Sequence, residues 1–334
     1  MLSQAANNKN YVSCHWATSG LEFRKDSIRS CCFAYLQNEN EKDSIIIDNY
    51  HGENIDWDNL LKLKKEHKEL HKKGQFKPSC KGCIYLEKAI WNDNLFIDHL
   101  TFNHWSKCNC NCIYCYSASD KSYFNNYKHY NVLPILKEMH KKNILIPTDT
   151  SCISFGGGEP TILEEFEELL DFLISIGFKN IRINSSGIEY SSAIAKGLEL
   201  NAVSLVISTD SGTKETYEKI KNVKCFEKVW QNIKRYSEKQ IAPDALKIKY
   251  IIIPGINDSK KEIDKWFDLI NKNNVKAIAL SVEQHWYFEN YPDFPDSIHE
   301  MINYIKTESE KQNLETEIYC EALSVLQLKD KKAE

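Results

Sequence analysis

From about residue 95 onward, short apolar strand-like runs alternate with longer amphipathic helical runs, and this rhythm limits the fold more than any other feature. The pattern predicts strands at 95–103, 151–155, 180–184, 203–208, 247–253 and 276–282. Helices are expected at 132–142, 161–176, 191–200, 213–237 (interrupted near Asn222), 260–271 and 297–312, and one more strand at 315–321. Strand–helix alternation of this kind gives a parallel sheet. Right-handed crossovers curl such a sheet toward a barrel. Eight units would close it; the six read here make an open, partial (β/α)6 barrel, an α/β fold. In such an array side chains that do chemistry gather at the C-terminal ends of the strands.

The first ninety or so residues read differently. Cys14, Cys31, Cys32, Cys80 and Cys83 lie among short polar pieces, with strands expected at 33–36 and 45–47 and a helix at 57–72. The lysines of 62–73, interleaved with Glu66 and Glu69, read as a solvated helix face. Residues 1–92 are therefore expected to form a small cysteine-rich α+β domain, 93–322 the partial barrel and 323–334 a polar tail, in keeping with the two domains that 334 residues suggest. A net charge of −4 favours neither nucleic acid nor an anionic membrane. The polar start of the chain and the absence of an apolar run of about 18 residues point to the cytoplasm. Twelve cysteines there suggest metal binding or redox chemistry rather than disulfides.

Three cysteines, Cys108, Cys112 and Cys115, form C-x3-C-x2-C on one loop after the first barrel strand. They offer three thiolates to an iron–sulfur cube and leave one corner open. Zinc is the rival metal, and His104 lies close upstream. Cys110 falls off the spacing and is read as a non-ligand. Gly156, Gly157, Gly158, Glu159 and Pro160 follow the second strand. Glycines there allow close backbone approach, and one carboxylate beside exposed backbone groups suits an ammonium. Asn184, Ser185, Ser186 and Gly187 follow the third strand, and Ser208, Thr209 and Asp210 the fourth. Pro254, Gly255, Ile256, Asn257 and Asp258 follow the fifth, and Glu283, Gln284, His285 and Trp286 the sixth, where they could meet a substrate. Each of these loops also has a plain reading as a turn or helix cap. Cys152, Cys225 and Cys320 read as buried, inert thiols.

The cysteine spacing, with Tyr114 before the last cysteine, and the Gly157-Gly158-Glu159 run resemble the radical S-adenosylmethionine (radical SAM) superfamily. The resemblance implies a [4Fe–4S] cluster on Cys108, Cys112 and Cys115 whose fourth iron is chelated by SAM. Gly157, Gly158 and Glu159 would hold the SAM amino group, and Asn184 and Ser185 its carboxylate or nucleoside. Ser208 would contact the ribose, Gly255 the adenine side, and Tyr114 would pack beside cluster or adenine. Asp210 is the candidate catalytic residue, facing substrate. The family's chemistry is reductive cleavage of SAM to a 5′-deoxyadenosyl radical that abstracts hydrogen. It implies an electron donor such as flavodoxin or ferredoxin. The N-terminal cysteines resemble the family's SPASM or twitch extensions, which usually follow the barrel rather than precede it. They imply an auxiliary [4Fe–4S] cluster on Cys14, Cys31, Cys80 and Cys83. The adjacent Cys32 fits as well as Cys31, and zinc held by four cysteines is the alternative. The substrate is a peptide or a small molecule, with a carbohydrate or nucleotide-sugar as the alternative. A zinc-binding adaptor without activity is the non-enzymatic reading.

Overall fold

A computed structural model describes residues 9–31, 42–91, 94–115, 129–283 and 295–318. Cys32, Gln284, His285, Trp286, Cys320, the strand expected at 33–36 and the 323–334 tail lie outside the described residues. The chain divides into two compact units, 1–105 with 127–155, and 106–126 with 156–334.

In the first unit β1 (Lys9–Ser13) leads into α1 (His15–Ser19), β2 (Gly20–Arg24), β3 (Ser27–Arg29) and β4 (Ile45–Asp48). Helix α2 (Trp57–Lys72) follows, then β5 (Glu87–Trp91), β6 (His99–Asn103), α3 (Leu133–Lys141) and β7 (Cys152–Phe155). Strands β1 and β5 form an antiparallel pair. Strand β6 lies between β2 and β7, parallel to both. Strands β3 and β4 extend this sheet antiparallel from β2. Strands β2, β3 and β4 thus continue the sheet of the first barrel strands, a role their composition did not show. Leu21, Phe23, Leu100, Phe102, Ile153 and Phe155 stack along it, all fully buried, each contributing roughly 1.5–3 kcal/mol by leaving water.

Helix α2 corrects the reading of 62–73 as a solvated face. Its buried stripe is Trp57, Leu60, Lys64, His67, Lys68 and His71, at helical spacing. Four of these six core-facing positions are therefore filled by lysine and histidine. Lys64 is satisfied by donating from Nζ to the carbonyls of Trp16 and Gly20, both at 2.8 Å.

In the second unit α4 (Phe166–Ser175) is followed by β8 (Ile181–Ser185), α5 (Ser192–Glu199) and β9 (Val203–Ser208). Next come α6 (Lys214–Lys221), α7 (Phe226–Ser237), β10 (Leu246–Ile252), α8 (Lys260–Lys272), β11 (Ala277–Val282), α9 (Asp296–Lys311) and β12 (Glu315–Ile318). The five strands pair in sequence order, all parallel. Along β8, Ile181 and Ile183 are buried while Arg182 and Asn184 point the other way. Arg182 reaches Glu317 of β12 at 3.0 Å, and Lys247 of β10 reaches the same carboxylate at 3.2 Å. Three strands separate β8 from β12 in the sheet order, so a contact across them means that the sheet is curved with this face concave. That is the curl expected of a partial barrel.

Local signals explain the element ends. The Ser191, Thr213 and Ser259 hydroxyls cap α5, α6 and α8 by accepting from the backbone N–H three residues on. Asn143, Asn201, Asn222, Asn274 and Asn313 take positive φ just past their helices, a conformation asparagine tolerates. Asn222 breaks the expected 213–237 helix into α6 and α7. The helix expected from 161 starts at Phe166, because Pro160–Ile162 forms a separate 3-10 turn. Among the described residues no helix is long and apolar enough to cross a membrane.

Candidate active site

The cysteine loop and its neighbours fall in the second unit. The loop backbone is pinned to the end of α6: Asn111 N–H donates to the Lys221 carbonyl and Ile113 N–H to that of Ile220, both at 3.0 Å. Cys115 N–H closes a turn on the Cys112 carbonyl at 3.1 Å. Cys108 is exposed, and Cys110, Cys112 and Cys115 are half-buried. Cys110 hydrogen-bonds toward its neighbours and is itself pushed well up. That bond lowers the Cys112 thiol to about 6, against the opposing effect of burial and with help from the Lys221 ammonium. Cys108 is lowered for the same first reason. The Cys110 hydrogen bond and the Lys221 ammonium thus favour the thiolate of Cys112, the form that binds iron or zinc.

The glycine turn explains itself by contact. A Cβ on Gly158 would sit 2.1 Å from the Lys107 carbonyl oxygen and 2.7 Å from the Ser106 carbonyl carbon. Only glycine lets the 156–160 turn lie against the chain entering the cysteine loop. Glu159 N–H then donates to the Lys107 carbonyl at 2.9 Å. Gly157 takes φ +78 and is exposed.

Glu159 itself is buried, with 2% exposure. Its Oε1 accepts from the hydroxyls of Ser185 (2.8 Å) and Thr161 (2.7 Å), and Oε2 from Ser186 N–H (2.6 Å). The Ser186 hydroxyl continues to Asn109 Oδ1 at 3.0 Å. One carboxylate thereby ties the glycine turn to the end of β8, and Ser186 ties that end to the cysteine loop. Four donors thus orient the carboxylate beside the glycine turn.

Asp210 lies in left-handed backbone, φ +56, fully buried. Its Oδ1 accepts from Ile251 N–H at 2.8 Å, and Oδ2 from the Tyr114 hydroxyl at 2.6 Å and from Lys221 Nζ. Lys221 also donates to the Tyr114 oxygen at 2.6 Å. Burial and the Asp210 charge push the Tyr114 phenol well up. Burial pulls Lys221 down, but the charges of Asp210 and Cys112 outweigh it and hold the ammonium protonated. Asn257 Nδ2 donates to the Asp210 carbonyl at 2.8 Å, joining the loops after β9 and β10. The cap of α6 is Thr213 rather than Asp210. Three donors inside the protein thus hold the carboxylate, an arrangement suited to positioning Tyr114. Tyr114 also packs against the buried cluster of Ile220, Ile251 and Ile253.

Ser185 is buried against Glu159, and Asn184 is exposed beside it. Ser208 is half-buried at the end of β9, in register with Lys249. Gly255, at φ +78, is exposed and donates its N–H to Asp258 at 2.9 Å. Glu283 is buried at the end of β11. Lys221 and Thr161 were not foreseen: each is a common residue in a helix or turn, with no spacing to mark it. Cys152 and Cys225 are half-buried rather than fully buried.

The residues fit the group expected: three thiols on one loop, a cradle that a Cβ would fill, and a poised buried carboxylate. A family model described as "Radical SAM superfamily" matches residues 102–284, more than half the chain. The chain belongs to the radical SAM superfamily. It is an enzyme of a family that uses a [4Fe–4S] cluster and SAM. Among curated proteins it is similar to a GTP 3′,8-cyclase of Crocosphaera subtropica, 24% identical over 200 residues, which are 57% of this chain and 53% of that one. It is likewise similar to a GTP 3′,8-cyclase of Clostridium botulinum strain Hall, 23% identical over 226 residues, 65% of this chain and 68% of that one. The chain thus spans about half the length of the first relative. In fold it is similar to Streptococcus suis SuiB bound to the precursor peptide SuiA, with a TM-score of 0.51, 14% identity, and 81% of this chain and 57% of that one covered.

In the first unit Cys14 and Cys80 are buried, and Cys31 and Cys83 half-buried. Burial pushes the Cys14 thiol up to about 12 and Cys80 to about 11, and each is raised further by the charges of neighbouring cysteines. The sulfurs of Cys14, Cys80 and Cys83 are therefore electrostatic neighbours. Two histidines that the sequence reading passed over, His67 and His71, share this region with Cys80.

Proposed function

We propose that this chain binds a [4Fe–4S] cluster through Cys108, Cys112 and Cys115 and binds SAM against Gly157, Gly158, Glu159 and Ser185. It would use the pair to abstract hydrogen from a peptide or small-molecule substrate. The observation that carries this reading is the Glu159 carboxylate, which joins the glycine turn to Ser185 and, through Ser186 and Asn109, to the cysteine loop. Cluster and SAM, when bound, supply a one-electron reductive cleavage of the sulfonium C–S bond and the hydrogen-abstracting radical it releases.

The protein's own part is orientation and exclusion of water. Glu159 offers negative charge to the amino group. Asn184, which is exposed, would bond the carboxylate or nucleoside, Ser208 the ribose hydroxyls, and the Gly255 turn would face the adenine. Asp210 and Lys221 hold the Tyr114 ring against the isoleucines behind the cysteine loop. For the substrate, the cyclase relatives make a nucleoside triphosphate the first small molecule to test. A peptide is the parallel arm.

The test is anaerobic reconstitution with iron and sulfide, reduction by dithionite or flavodoxin, and chromatography of the products. Wild-type protein should release 5′-deoxyadenosine from SAM, and Cys108→Ala should release none. Release by Cys108→Ala equal to wild type would overturn the reading.

A further inference from the structure

Helix α2 turns two histidines inward where a soluble helix would place leucines. His67 and His71 are four residues apart, so both imidazoles lie on one face. Their exposures are 3% and 1%, and that of Cys80, in the turn at 78–83, is 8%. Donor atoms of the three side chains all lie within 4.8 Å of one another. Among the described residues no other group of His, Cys, Asp and Glu side chains converges this closely.

The atoms are set as ligands would be. Cys80 Sγ is 3.6 Å from His67 Nε2. For Zn–S of about 2.3 Å and Zn–N of about 2.1 Å at the tetrahedral angle, the S···N edge is about 3.6 Å. On His71 the Ser13 hydroxyl is 2.8 Å from Nδ1. That bond leaves Nε2 as the free donor, and Nε2 is buried with no partner. Orienting a ligand imidazole through its other nitrogen is the usual outer-sphere arrangement of a zinc histidine. Two nitrogens and one sulfur form a borderline-soft set suited to zinc rather than to magnesium or calcium.

We propose that His67 Nε2, His71 Nε2 and Cys80 Sγ bind a zinc ion, with Ser13 orienting the His71 ring through Nδ1. This site takes Cys80 in place of the four-cysteine cube expected for the N-terminal region, since one sulfur cannot fill both roles. It does not depend on the SAM site: the two sets of residues lie in different units.

The experiment is metal and sulfide analysis of the full chain purified anaerobically, with Co2+ titration of the metal-stripped protein as a second readout. About one zinc per chain is expected, kept in Cys108→Ala and lost in His67→Ala and His71→Ala. Ser13→Ala, which leaves every ligand in place, should bind zinc about 10- to 100-fold more weakly. Tetrahedral Co2+ absorption with a sulfur charge-transfer band should form in wild-type protein and vanish in Cys80→Ser. Two results overturn the proposal: no Co2+ band in wild-type protein, or four irons and sulfides that are lost in Cys14→Ala and indifferent to His67→Ala.

Discussion

At the scale of single residues, contact distance decides what the glycine turn tolerates. Adding one methyl at Gly158 forces its Cβ into the Lys107 carbonyl. Both partners are backbone, so neither can rotate away. Gly158→Ala should lower SAM cleavage at least about tenfold through displacement of this turn, in the way that misplacement of about 1 Å costs about 100-fold. Product release per iron-loaded chain measures it. The Asp210–Lys221 pair is decided by burial instead. Both side chains are almost fully removed from solvent. Removing one partner strands the other charge. Lys221→Met should therefore lower the unfolding free energy by about 3–5 kcal/mol, read from urea titration. Pairing it with Asp210→Asn should recover part of that loss. An unchanged urea midpoint in Lys221→Met would show that the pair has little weight.

At the scale of elements, the concave face of the second unit carries a charge network whose sign can be tested by pH. Burial pushes Glu317 up, but Arg182 and Lys247 outweigh it and hold the carboxyl below its ordinary value of 4.5. A carboxyl lowered by folding stabilises above its unfolded value and loses that contribution as pH falls through the folded one. Wild-type stability should therefore fall below about pH 4.5 more steeply than that of Glu317→Gln, seen as converging thermal midpoints on acidification. Helix α2 is the other element where position outranks composition. Its surface lysines and its buried ones are the same residue type. Only the phase of the helix against α1 and β1 separates Lys62 from Lys64.

At the scale of the whole molecule, cluster loading and SAM binding should add stability by mass action. Iron-loaded wild-type protein should melt at higher temperature as SAM is added, by an amount equivalent to about 2.7 kcal/mol at 100-fold saturation. Cys108→Ala should show no SAM-dependent rise under the same anaerobic melt. A rise of equal size in that variant would detach SAM binding from the cluster loop.

The sequence by itself determined the α/β alternation and the identity of the radical SAM motifs. Both are local: strand and helix periods are read over a few residues, and the C-x3-C-x2-C and Gly-Gly-Glu signals are contiguous. Even the break at Asn222 was legible, because asparagine beyond a helix takes a positive φ readily. What only the tertiary structure decided were the long-range pairings. Strands β2, β3 and β4 joined the sheet beside β6, a register that no local pattern encodes. Lys221 met Asp210 and Tyr114, a contact 107 residues from the tyrosine. His67 and His71 faced Cys80 because the fold buried a face of α2 that its lysines had made look solvated. Charge and hydropathy report what a side chain prefers in water; which partner repays its burial is fixed only when distant segments meet.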